Sequence, residues 1–172
     1  LNTAKMSGTF SPQSIGAGVA GSTTFNFTNT PASADPNPDW IDQINLTFPA
    51  GAQPNSITAP AGWTVTNPSA GVWSVTLNPC APAPCQETNA IAPGGTLALT
   101  VGFANNTTAG TYDGVGSDPP AISWTVRGAN GGTTTTNSAA YTGKSKLIVS
   151  PVSASVSFAG VGGYPTAAAV LN

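Results

Sequence analysis

The chain has 172 residues, of which only 6% are charged: four Lys+Arg, six Asp+Glu and no His. The length fits one domain with additions. A net charge of −2 excludes nucleic-acid binding by phosphate neutralisation and membrane attachment through a basic segment.

Without His, Ser-His-Asp and Cys-His catalysis are excluded, and with only two Cys a four-ligand zinc site is excluded too. Thr, Ser, Asn and Gly supply the polar surface in place of charge, a composition usual in extracellular walls and filaments. No run approaches the ~20 apolar residues of a transmembrane helix. No charged segment followed by an apolar one opens the chain, so it reads as a secreted protein with its signal peptide removed. An apolar content of 40% and four Trp predict a packed core despite 20 Gly and 16 Pro.

Period-2 alternation, the mark of half-buried strands, recurs from the first residues onward. "AKMSGTF" sets Ala4, Met6, Gly8 and Phe10 against Lys5, Ser7 and Thr9. Residues 11–21, rich in Gly, read as linker-like. "STTFNFTN" points Phe25 and Phe27 one way, with Asn26 and Thr28 opposite. "ADPNPDWID" then spaces Asp35, Asn37 and Asp39 like the opening of a calcium loop, with Asp42 as a further oxygen donor. Trp40 stands where such a loop needs Gly, Leu46 stands where it needs Glu, and Pro36 and Pro38 stiffen it. The segment therefore reads first as a Pro-rich loop and only second as a calcium site.

Further strands are predicted in "INLTF", "GWTVTN", "GVWSVTL", "GTLALTVGF" and "AISWTVRG", and "TTTTNSAAYTGKSKLIV" closes the body. Between two of them, "NPCAPAPC" reads as a local Cys80–Cys85 disulfide in an oxidising compartment. The alternative is two reduced thiols in a loop. Such a small ring would contribute about 2 kcal/mol at most. "FPAGA", "APAG", "NPSAG", "APGG" and "TTAG" separate the other runs, and Asn130-Gly131 is the best hairpin-turn signal. Seven or more short strands with turns every 8–12 residues predict an all-β antiparallel β-sandwich over 1–150. A last alternating run follows in the extension 151–172, where Val152, Ala154, Val156 and Phe158 alternate with serines.

The stretches "GTFSPQSIGAGVAGSTTFNFTNT", "INLTFPAG", "IAPGGTLALTVGF" and "TTAGTY", about half the chain, resemble the immunoglobulin-like modules repeated in prokaryotic cell-surface proteins. The resemblance implies an immunoglobulin-like fold and a secreted structural or adhesive role, and it brings no catalytic residues.

The acids Asp35, Asp39, Asp42, Glu87, Asp113 and Asp118 show no pairing of the kind a glycosidase needs, so no enzyme and no cofactor are expected. The leading functional expectation is an extracellular filament subunit, polymerised head to tail with copies of itself by strand donation. The donor is either Val152, Ala154, Val156 and Phe158, or Ala4, Met6, Gly8 and Phe10. Each large apolar side chain so buried would contribute ~1.5–3 kcal/mol. The alternative is a monomeric adhesin or carbohydrate-binding module of a larger surface protein, with host surface glycans as partners. Trp40, Trp63, Trp73 and Trp124 are its candidate stacking residues, although core packing suits three of them better. Glycan-acceptor sequons stand at Asn26, Asn45, Asn105 and Asn106.

Overall fold

The computed structural model describes residues 5–30, 39–77, 90–128, 141–152, 154–158 and 167–171. In chain order its strands begin with β1 (Met6–Ser11), β2 (Ser14–Gly16), β3 (Gly21–Asn29), β4 (Ile41–Thr47) and β5 (Ser56–Thr58). They continue with β6 (Trp63–Ser69), β7 (Val72–Leu77), β8 (Thr96–Phe103), β9 (Gly110–Tyr112) and β10 (Ile122–Gly128). Last come β11 (Tyr141–Ser145), β12 (Leu147–Ser150), β13 (Ala154–Phe158) and β14 (Ala167–Leu171). Among the described residues the helical content is one 3-10 turn, Ala50–Ala52. The fold is an all-β antiparallel sandwich.

One sheet has the order β1-β3-β8-β5 and the other β11-β10-β4-β7-β6. Their inner faces take the apolar phase of each strand, because a strand's alternate side chains point to opposite faces. Phe25 and Phe27 of β3 and Ile44 and Leu46 of β4 are fully buried, as are Val75, Leu99 and Val101. Across the gap between sheets, Trp124 of β10 meets Phe25 and Phe27 edge-on, with centroids 5.4 and 5.6 Å apart. This geometry favours the ring quadrupoles. The Trp124 indole Nε1 donates to the Met6 carbonyl at 3.3 Å, which satisfies a buried donor and ties β10 to β1. Gly8 takes part in the same packing: a Cβ there would lie 2.8 Å from ring carbons of Phe25.

A third, small sheet has the order β2-β12-β9. In it β2 runs parallel to β12, and β9 antiparallel. Strand β13 pairs with β14 in a two-stranded sheet of their own.

Several expectations change at this level. Residues 11–21 do not act as a linker: after the cis Ser11-Pro12 bond they hold β2, with Ile15 buried and Ala17 and Gly18 bonded through their N–H groups to Ser150 and Thr107. The single apolar Ile15 supplies the anchor, and a parallel ladder to β12 supplies the hydrogen bonds. The closing run "KSKLIV" is two strands in two sheets, divided at Lys146, with β11 on β10 and β12 on β2 and β9. The extension carries β14 as well as β13. The Asn130-Gly131 turn and the Cys80–Cys85 pair lie outside the described residues.

Candidate functional site

The sandwich positions its chemistry on two outward faces and at one buried polar node. On the four-stranded sheet, opposed residues of neighbouring strands share a face, and the registers align them into rows. One row is Ser7, Thr28 and Thr96; the next is Thr9, Asn26 and Ala98. Ser11, Thr24, Thr100 and Thr58 form the third, and Ser22, Gly102 and Ser56 the last. Every residue in these rows is exposed or half-buried, and none is charged. Strand spacing makes this face roughly 14 Å across.

The outer face of the five-stranded sheet is polar as well. Gln43 Nε2 donates to Thr76 Oγ1 at 3.1 Å and to Ser74 Oγ at 3.4 Å, so part of this face is engaged in its own hydrogen bonds. Arg127 lies on this face, its Nε 2.7 Å from Asp42 Oδ1. Asp42 is fully buried because the register between β10 and β4 shifts at Arg127/Gly128. Asp42 is the extra residue of that irregularity.

The buried node closes one end of the sandwich. Asn29 ends β3 in the inward phase and is fully buried. Its Nδ2 donates to the Asp39 carbonyl at 2.8 Å and to the Ile91 carbonyl at 2.9 Å. Its main chain bonds to Gly94 and Gly95. One side chain thus joins the first sheet to the segment that leads into β4 and to the Ile41–Ile91 bridge.

The predicted site residues distribute as follows. Of the calcium candidates, Asp35 and Asn37 lie outside the described residues. Asp39 is buried with Oδ1 accepting from the Trp40 N–H at 2.8 Å, and Asp42 holds Arg127. Among the described residues no three metal-ligating acid, His or Cys side chains come together. Asp113 accepts from the Val115 N–H at 3.0 Å and faces Lys146 at 3.8 Å, far along the chain from the head of β4. Glu87 lies outside the described residues.

Trp73 and Trp124 are buried in the core, and Trp40 and Trp63 are half-buried on different elements. The four therefore form no shared stacking platform. Of the two candidate donor runs, the N-terminal one is β1, paired along its whole length with β3. Met6 and Phe10 are buried in their own core, while Ala4 lies outside the described residues. In the C-terminal run, Val152 is half exposed, and Ala154, Val156 and Phe158 stand opposite Leu171, Ala169 and Ala167. Asn26, Asn105 and Asn106 are exposed and Asn45 is half-buried. The Asn29 node is absent from the sequence-level expectations. The only signal for it is a polar residue in the phase of Phe25 and Phe27.

No protein-family model matches the chain, and no curated protein does. Among solved structures, the chain is similar to the seventh ScaB type I cohesin from Pseudobacteroides cellulosolvens, with 15% identity and a TM-score of 0.48 over 86% of this chain and 93% of that one. It is also similar to CaCohA2 from Clostridium acetobutylicum in solution, with 15% identity and a TM-score of 0.40 over 96% of both chains. The complex of CaCohA2 with a CaDoc0917 variant gives 13% identity and a TM-score of 0.45 over 85% of this chain and 100% of that one. The sandwich assignment rests on the chain's own sheets and registers.

Proposed function

We propose that this chain is a non-catalytic binding module of an extracellular surface protein, self-contained as a fold, with the outer face of its four-stranded sheet as the contact surface. The observation that supports it best is that the chain supplies its own first strand. Met6 and Phe10 of β1 are buried against β3, so the sandwich does not need a neighbour's strand there. The rows between Ser7 and Ser56 carry no charge, which suits contact with a partner, since covering them desolvates no ion and interface centres are depleted of charged residues. The non-catalytic part is supported by the lack of His and by the engaged state of Asp39 and Asp42.

The test has two readouts on the full chain. Light scattering at 10–200 μM should give the monomer mass, unchanged when residues 151–172 are deleted. Labelled chain should be retained on cells that produce it, and the double substitution Thr9→Arg, Thr100→Arg, at exposed positions on non-adjacent strands, should abolish retention without lowering Tm. Detergent-resistant polymers, or retention indifferent to those substitutions, would sink this reading.

A second reading, strand donation from the C-terminal extension, draws on the hairpin β13–β14. It belongs to neither large sheet, and an isolated two-stranded hairpin is marginal in water. Opening the hairpin would free strand β13 for a neighbouring subunit. Polymers that vanish with residues 151–172 would establish this reading over the first.

A further inference from the structure

The four sequons differ in what the fold leaves available. A transferase that recognises N-x-S/T needs the Asn amide in solvent, a backbone free of a sheet ladder, and the hydroxyl of the third residue open to hydrogen bonding. Asn26 is exposed, but it sits in mid-β3 with Thr9 on one side and Ala98 on the other. Asn45 is half-buried in mid-β4, between Thr125 and Ser74. Both acceptors are held by ladders on two sides.

Asn105 and Asn106 are exposed in the turn after β8, and the third residue separates them. The Asn105 sequon ends at Thr107, which is 6% exposed. The Thr107 hydroxyl donates to the Gly16 carbonyl at 3.1 Å and accepts from the Gly18 N–H at 3.0 Å. It is a structural hydroxyl, turned inward to hold the segment around β2. The Asn106 sequon ends at Thr108, whose side chain is exposed. Thr108 is held through its backbone instead, with its N–H on the Gly51 carbonyl at 2.8 Å and its carbonyl accepting from Tyr112 Oη at 2.8 Å. The turn therefore presents an amide and a free hydroxyl on a fixed frame.

We infer that Asn106 is the N-glycan acceptor of the folded chain. The donor class is a lipid-pyrophosphate-linked oligosaccharide. The Asn106 side-chain nitrogen attacks the anomeric carbon of the first sugar and forms the N–C bond. The bond from that carbon to the pyrophosphate oxygen breaks, and the lipid pyrophosphate leaves with the electron pair. The amide loses one proton to a carboxylate of the transferase. Occurrence in the cell rests on the extracellular reading above; the transfer itself does not.

The test incubates the folded full chain with a single-subunit oligosaccharyltransferase that accepts N-x-S/T and a lipid-pyrophosphate-linked oligosaccharide. Intact mass and glycopeptide mapping are the readouts. One oligosaccharide is expected, on Asn106. Thr108→Ala should lower transfer at least tenfold, Thr108→Ser should retain it, and neither should shift Tm. The chain unfolded in urea and diluted into the reaction should also accept at Asn26 and Asn45. A folded chain that stays bare, that accepts first at Asn26 or Asn45, or that keeps its glycan in Thr108→Ala through Asn105 would overturn the inference. None of these outcomes bears on whether the module binds a partner.

Discussion

Asn29 shows how one side chain carries a connection that no strand makes. Its Nδ2 satisfies two buried carbonyls, of Asp39 and Ile91, while its own Oδ1 has no partner among the described residues. Replacing it by Ala removes this donor from both carbonyls, of which Ile91 keeps the Ile41 N–H at 3.0 Å; a buried group that loses its partner costs about 1–3 kcal/mol. We expect Asn29→Ala to cost about 1–3 kcal/mol, read from the urea midpoint at constant m. Asn29→Asp should cost more at pH 7, because a carboxylate would face two carbonyl oxygens and donate nothing. If Asn29→Asp is as stable as wild type, the carboxamide is not the link described. The sequence could not show this role: the phase of β3 places Asn29 beside Phe27, but its partners stand 10 and 62 positions away. The apolar residues of the same strand were legible because alternation alone determines their face.

At the scale of elements, strands long enough to display their period were readable, and shorter ones were not. β3, β4, β7, β8 and β10 each alternate over six to nine residues. β2, β5 and β9 have three residues each, too few to separate period 2 from chance, and β14 reads AAAVL with no polar phase. Alternation also cannot say which chain a strand pairs with. β1 and β13 looked equivalent as donors, yet β1 has a full register on β3 and β13 pairs with β14. This predicts an asymmetry between the two ends. Removing residues 1–11 strips Met6 and Phe10 from the core, about 1.5–3 kcal/mol each, and leaves the β3 edge unpaired. That loss is large beside a total stability of about 5–15 kcal/mol. The truncated chain should be largely unfolded by circular dichroism, and a peptide of residues 1–11 added in excess should restore the fold. A truncated chain that folds alone would show β1 to be dispensable.

At the scale of the whole molecule, the scarcity of charge sets the response to solvent. With no His in the chain, no side chain of ordinary pKa titrates between about pH 5.5 and 7.5, so Tm should be flat across that range. Added salt should change it little, since few charges are present to screen. The alkaline side differs. Tyr112 is buried beneath the Gly51 turn, with Oη donating to the Thr108 carbonyl. Desolvation by burial raises its phenol above the ordinary 10.0. A raised phenol means that the folded state favours the neutral form. The stabilisation is complete below pH 10 and is lost as pH rises through the folded value. Tm should therefore decline above pH 10, with Tyr112 ionising above its ordinary value in a 295 nm titration. In Tyr112→Phe the decline should be shallower, because nothing at that position then ionises. An alkaline decline identical in Tyr112→Phe would place its origin elsewhere in the chain.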